Sequence, residues 1–151
     1  MSTSLEIIEF NHESFVLDYL KECEWNAGKF LYALLNEKKF YSSLGDSTKL
    51  FILKKANEVI AFATYSLKDC IDDLSLFPWI GFLYVDPKNR GNSYSKLIID
   101  HILKNAKDDG YKNIYLATDH INFYEKYGFE FLEKRLDIYN EMSRIYYYKL
   151  T

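Results

Sequence analysis

Two stretches of the chain carry residues whose types and spacing could do chemistry. The first runs Phe82-Leu83-Tyr84-Val85-Asp86-Pro87-Lys88-Asn89-Arg90-Gly91-Asn92-Ser93-Tyr94-Ser95-Lys96-Leu97. An apolar, strand-like run ends at Pro87, which has no N–H to give to a sheet ladder. A short polar loop with Arg90 and Gly91 follows, and a helical pattern begins at Tyr94. The first N–H groups of a helix lack internal partners and lie at the positive end of its dipole. That makes an anion site suited to phosphate. Glycine lets the backbone approach a ligand closely, and arginine adds a charged fork. The same pattern also describes an ordinary strand–loop–helix connection.

The second stretch is Asp119-His120-Ile121-Asn122-Phe123-Tyr124-Glu125-Lys126-Tyr127-Gly128-Phe129. Read as a helix over 120–127, it turns about 100° per residue. Tyr127, His120 and Tyr124 then share one face beside Phe123, while Asn122, Glu125 and Lys126 point to solvent. His120 and Tyr124, one turn apart, could move protons in one pocket. A packed aromatic face with satisfied polar tips accounts for the same residues. Asp119 reads as the N-cap of this helix.

The elements that must position these stretches follow from periodicity and breakers. Leu5–Phe10 reads as a strand, and Asn11 as the N-cap of a helix carrying Phe15, Val16, Tyr19, Leu20 and Cys23. Trp25-Asn26-Ala27-Gly28 breaks the pattern before a second apolar face at Phe30, Leu31, Leu34 and Leu35. Leu50–Leu53 and Val59–Leu67 read as strands about a turn at Ala56-Asn57, and residues 68–77 as an acidic loop. Trp79–Val85 is a strand. Tyr94–Lys107 is a helix with Leu97, Ile98, Ile102 and Ala106 inward, ended by Gly110. Asn113–Thr118, Phe129–Lys134 and Ile145–Leu150 complete the strands. Strand–helix–strand spacing implies a right-handed crossover and a parallel pair. The short early turn implies antiparallel pairing. The fold class is α+β: one domain over residues 1–151, with a mixed, mostly antiparallel β-sheet flanked by helices and a central parallel strand pair.

Composition narrows the function classes. The 151 residues suit one domain. Net charge is -3, and the longest basic runs are Lys38-Lys39 and Lys54-Lys55, which argues against nucleic acid. No apolar run reaches the ~18 residues of a membrane span. Cys23 and Cys70 have neither metal-site nor redox spacing. They read as small buried hydrophobes in a reduced, cytoplasmic, soluble protein that needs no metal. Aromatic residues reach 18%. The abundance of other A/T-codon residues (Ile, Asn, Lys) and the scarcity of Gly and Pro make most of that excess compositional. Arg90 and Gly91 therefore weigh more than any one tyrosine.

The two stretches together resemble the GNAT superfamily of N-acetyltransferases over residues 79–134. Val-Asp-Pro-x-x-Arg-Gly before a helix is similar to the family's acetyl-CoA motif, Gln/Arg-x-x-Gly-x-Gly/Ala. Its glycine positions fall here on Ser93 and Ser95. Phe-Tyr-Glu-Lys-Tyr-Gly-Phe is similar to its Tyr-Glu-Lys-x-Gly-Phe signature, in the same order along the chain. The resemblance implies a GNAT-like acyl-CoA N-acyltransferase fold. It implies that Arg90, Gly91, Asn92, Ser93, Tyr94, Ser95 and Lys96 hold the CoA pyrophosphate. It also implies a bulged strand whose Leu83, Tyr84 and Val85 backbone takes the pantetheine arm.

The implied reaction moves the acetyl group of acetyl-CoA to a primary amine: a small molecule, an amino acid or a peptide. Tyr124 is the implied general acid for the CoA thiolate; His120, by its spacing to Tyr124, is the candidate base. The family often places an asparagine where Ala117 stands. Trp25, between the early helices, is a candidate acceptor wall or a core anchor. Dimerisation is common in the family. A non-catalytic acyl-CoA-binding module on the same fold is the alternative that Ser93 and Ser95 leave open. His12 and His101 are expected to be structural or surface residues, and at most part of Tyr146-Tyr147-Tyr148 can face a pocket.

Overall fold

The computed structural model describes residues 4–151. Its strands are β1 (Leu5–Glu9), β2 (Lys49–Lys55), β3 (Glu58–Ser66), β4 (Trp79–Val85), β5 (Asn113–Thr118), β6 (Glu130–Leu136) and β7 (Met142–Lys149). Its helices are α1 (Ser14–Lys21), α2 (Asn26–Asn36), α3 (Phe40–Leu44) and α4 (Tyr94–Asp108), with 3₁₀ turns at Pro87–Asn89 and Tyr124–Tyr127. The strands form one sheet in the order β1-β2-β3-β4-β5-β7-β6. Only β4 and β5 run parallel.

β3 is buried on both faces, which explains its unbroken apolar run. Ala61, Ala63 and Tyr65 pack with Ile98, Ile99 and Ile102 of α4. Phe62 points the other way, to Val16 and Leu20 of α1 and Leu31 and Leu34 of α2. The helices thus sandwich the sheet and fix where α4 begins relative to β4.

Several sequence expectations need correction. Asn11 does not cap α1. Its N–H donates to Glu13 Oε1 at 2.7 Å, and the helix starts at Ser14. Gly28 lies inside α2 rather than in a break, because Cys23 Sγ occupies the space a Cβ would need. α3 is a five-residue helix that too short a pattern conceals. On α4, Leu97 is exposed, and the fully buried Ile99 packs inward in its stead. Residues 120–123 are not helical; only Tyr124–Tyr127 form a 3₁₀ turn, and Asn122 adopts a positive φ of 61° that no helix continues through. Asp119 therefore caps no helix.

Candidate active site

β4 and β5 pair only at Trp79 and Tyr115, next to a hydrogen bond from Tyr115 N–H to the Pro78 carbonyl. Beyond that point the strands separate. The cause lies in β4: Phe62 pairs with Tyr84 and Thr64 with Gly81, so Phe82 and Leu83 together oppose Ala63. Two residues against one is a β-bulge, and Phe82 takes a φ of 49° within it. The bulge bends β4 and leaves the edge of Leu83–Val85 that faces β5 without a partner strand.

A cleft of 550 Å³ fills the opening. Leu83, Tyr84 and Val85 form one wall, Arg90, Gly91 and Ser93 the loop end, and Tyr94 and Ser95 the helix end. Tyr124, Tyr127, His120 and Trp25 close it from the other sides. Asn92 and Lys96 do not line it. The Asn92 amide donates to the Asn89 carbonyl at 3.1 Å, and Lys96 Nζ pairs with Asp100 at 2.7 Å.

The loop into α4 is tied down by groups that the motif reading passed over. Asp86 is buried and accepts from the Lys88 N–H at 3.1 Å and the Tyr19 hydroxyl at 2.6 Å, joining the loop to α1. Burial, and then that bond, hold the Tyr19 hydroxyl protonated. Arg90 Nε donates to the Val85 carbonyl at 3.1 Å, and its guanidinium lies 5.3 Å from the Tyr84 ring centre. Tyr84 in turn stacks on Trp25 at 5.0 Å and 4°. This spends one face of the guanidinium and one donor on the loop and leaves its outer N–H groups free for an anion.

Ser93 sits at the N-cap of α4 with φ 58° and makes no capping hydrogen bond from its side chain. No side chain therefore consumes the first-turn N–H groups, although that of Lys96 bonds the Ser93 carbonyl at 3.1 Å. A left-handed residue here explains why glycine suits the position. Gly91 has φ 87°, and a Cβ built on it would touch nothing within 4 Å, so its reason is conformational rather than spatial. Ser95 is buried, with Oγ 3.4 Å from the Tyr127 hydroxyl.

Tyr124 is only 8% exposed and is packed edge-on against Phe123 at 4.8 Å and Phe129 at 6.1 Å. Burial first, then the nearby Tyr127 and Asp119, pushes its hydroxyl up to about 12. His120 is exposed, and its N–H bonds Thr118 Oγ1 at 3.1 Å. It reaches the cleft by loop geometry rather than by sharing a helical face with Tyr124.

A second cleft of 250 Å³ includes Trp25, Leu83, His120 and Tyr124 of the first in its wall. Its other walls include Asp69, Gly81, Phe82 and Asp119. Burial pushes the Asp69 carboxyl up to about 6, against the pull of hydrogen bonds from Cys70. Nothing local in the sequence distinguishes Asp69 from Asp72 and Asp73 in the same loop. Gly81 was the available clue, since a lone glycine inside a strand marks a close approach.

Elsewhere, His101 packs edge-on to Phe51 at 4.7 Å, and burial lowers its pKa. His12 is exposed, Cys23 buried and Cys70 partly buried. Tyr146 is fully buried, with its hydroxyl donating to Glu125 at 3.1 Å. Among the described residues no helix is long and apolar enough to cross a membrane, and no cluster of His, Cys, Asp and Glu is placed to hold a metal.

Comparison with known proteins places this geometry. A family model described as "Acetyltransferase (GNAT) family" matches residues 6–129. No curated protein matches the chain. Solved structures do. The ribosomal-protein-S18-alanine N-acetyltransferase from Escherichia coli superposes with a TM-score of 0.69 at 18% identity, covering 98% of this chain and 95% of its own. An acetyltransferase of the GNAT family from Staphylococcus aureus gives 0.65 at 17%, covering 98% and 100%. An aminoglycoside 6'-acetyltransferase type Ii gives 0.70 at 16%, covering 97% of each. At these identities the structures establish the shared fold alone. With the family model spanning most of the sequence, and the bulged strand, loop and helix arranged as described, the chain belongs to the acetyltransferase (GNAT) family.

Proposed function

We propose that the chain transfers the acetyl group of acetyl-CoA to a primary amine. The supporting observation is the convergence on one 550 Å³ cleft of an uncapped helix start, an unpartnered strand edge and Tyr124. The α4 N–H groups and the outer face of Arg90 bind the pyrophosphate. The open edge of Leu83–Val85 takes the pantetheine arm as an added strand. N–H groups at the bulge stabilise the oxyanion of the tetrahedral intermediate.

The amine needs a free lone pair, and lysine-type amines have a pKa of about 10.4. A proton must therefore leave before attack. As the C–S bond breaks, the Tyr124 hydroxyl donates to the departing sulfur. A thiol's ordinary pKa, about 8.5, lies below that of Tyr124. A free tyrosinate is therefore not the end of the step; the spare proton on the new C–N nitrogen restores the hydroxyl. His120, where the two clefts meet, exchanges protons with solvent. Trp25 walls both clefts and supports Tyr84.

Thiol release from acetyl-CoA against a panel of amines tests this reading, with Tyr124→Phe alongside. Release that depends on both the amine and Tyr124 supports it. Thermal stabilisation by acetyl-CoA with no release on any amine would replace it with a non-catalytic acyl-CoA-binding module, the reading that Ser93 and Ser95 permit.

A further inference from the structure

The second cleft holds polar groups that neither bind acetyl-CoA nor protonate its sulfur in the proposed transfer. Asp69 is held firmly although it lies in a loop. Before it, Lys68 N–H bonds the Leu44 carbonyl at 3.1 Å; after it, Ile138 N–H bonds the Cys70 carbonyl at 2.8 Å. Ile71 is then buried against Trp79 and Ile145. The carboxylate lies over Gly81 of β4, where a Cβ would overlap Asp69 Oδ1 and fall 2.9 Å from Thr64 Oγ1.

Thr64 faces Gly81 across the β3–β4 ladder and is fully buried. Among the described residues its Oγ1 is the buried side-chain polar atom with no hydrogen-bond partner. Such an orphan costs about 1–3 kcal/mol, and a half-buried carboxylate adds to the cost. Asp69 and Gly81 line a cleft that also contains Tyr124 and His120 and whose lining includes no Lys or Arg, and Thr64 Oγ1 lies behind that wall, beside the notch Gly81 leaves. A protonated amine is the chemical partner that would satisfy both.

We propose that Asp69 and Thr64 receive the ammonium group of the acceptor, and that Asp69 is the base that takes its proton; this rests on the acetyl-transfer reading above. One N–H bond of the ammonium breaks, and its proton passes to the carboxylate and on to solvent. The freed lone pair forms the C–N bond at the thioester carbonyl. Collapse of the intermediate breaks the C–S bond and leaves the electron pair on sulfur. Tyr124 protonates the sulfur and is reprotonated by the second nitrogen proton. The titratable groups around Asp69 are the Cys70 thiol beside it, Asp119, His120 and Tyr124 across the cleft, and Asp137 and Tyr139 of the β6–β7 turn.

The test compares two probes: a peptide with only a lysine ε-amine, pKa about 10.4, and one with only a free α-amine, pKa about 7.7–8.0. Wild type, Asp69→Asn and Thr64→Val are assayed for kcat and KM across pH, with acetyl-CoA affinity measured separately. The expected result is a roughly hundredfold or greater loss in kcat/KM on the ε-amine for D69N. A smaller loss follows on the α-amine, which is partly neutral already. The acid limb near pH 6 that reports Asp69 is replaced by one that follows the amine's own ionisation, and acetyl-CoA affinity is kept. T64V should raise acceptor KM about tenfold with kcat kept.

Equal losses on both probes with the limb near pH 6 intact, or no loss, would overturn the assignment while leaving acetyl transfer standing. No turnover of either probe or of a diamine by wild type, with acetyl-CoA bound, would overturn both. Should D69N fail to fold, T64V and Gly81→Ala decide. An unchanged acceptor KM in both sinks the proposal, and a raised KM with acetyl-CoA affinity kept supports it.

Discussion

Replacing Tyr124 by phenylalanine separates chemistry from packing more cleanly than any other single change. The ring is 8% exposed and wedged among Phe123, Phe129 and Tyr146. Truncation to alanine would therefore cost about 3–5 kcal/mol of stability. Phenylalanine keeps the ring. Among the described residues no side chain or backbone group bonds the Tyr124 hydroxyl, so its loss leaves no partner stranded, and stability should change by less than about 0.5 kcal/mol.

Loss of a positioned proton donor, by contrast, costs about 10²–10⁴ in rate. That is about 3–5 kcal/mol on the barrier. The folded hydroxyl is pushed up to about 12, above its ordinary value near 10, so it stays protonated throughout the neutral range. The wild-type rate should show no alkaline limb from this group below about pH 11. Paired measurements are needed: urea denaturation for stability, and thiol release at saturating acetyl-CoA for kcat. A variant equally stable and within a few-fold of wild-type kcat would refute the donor role. A variant that loses stability and rate together would show that the hydroxyl has a structural partner.

Other consequences can be checked on the same protein. Ser93→Gly removes a side chain from a left-handed position, φ 58°, that costs an L-residue roughly 1–2 kcal/mol. After glycine's larger unfolded-state entropy is set against it, a small gain in melting temperature and undiminished acetyl-CoA affinity are expected; a clear loss of stability would show that the Ser93 side chain holds the loop. Gly28→Ala places a Cβ 2.7 Å from Cys23 Sγ, and the overpacking of about 1–3 kcal/mol should exceed the helix-propensity gain of about 1 kcal/mol. A denaturation midpoint equal to or above that of wild type would contradict this. Asp69, raised to about 6 when folded against about 3.9 unfolded, binds its proton more readily in the fold. Its ionisation penalty is therefore fully present above pH 6 and is relieved as pH falls from about 6 to about 4. Asp69→Asn should raise stability at neutral pH, by less than about 3 kcal/mol because the residue keeps part of its surface in water. Lower stability at pH 7 would show that the carboxylate is a structural acceptor.

Much of the scaffold was legible because its cues are local. Pro87 ends β4, the apolar spacing of α4 shows in sequence, and Gly110 adopts the left-handed φ of 90° expected after that helix. The parallel pair followed from the length of the crossover. Less visible was whatever depends on contacts distant in sequence. Gly28 looked like a breaker because nothing nearby reveals Cys23 packed against it. A helical reading puts His120 on the Tyr124 face, but Asn122 prevents that helix, and His120 reaches the same cleft through the loop. Asn92 and Lys96 fell in the motif by position, yet their side chains bond Asn89 and Asp100. Asp69 and Thr64 both approach Gly81 only because β3, β4 and the loop between them fold over it, a juxtaposition that no spacing rule contains. Tyr19, likewise, braces Asp86 from an element far away in the chain.

The most direct test of acetyl transfer is mass spectrometry of an amine acceptor incubated with the protein and acetyl-CoA labelled in its acetyl group. The expected result is an acceptor heavier by one labelled acetyl group, formed catalytically and nearly abolished by Tyr124→Phe. An unmodified acceptor across cationic small amines and peptide amines, under conditions where acetyl-CoA demonstrably binds, would contradict it.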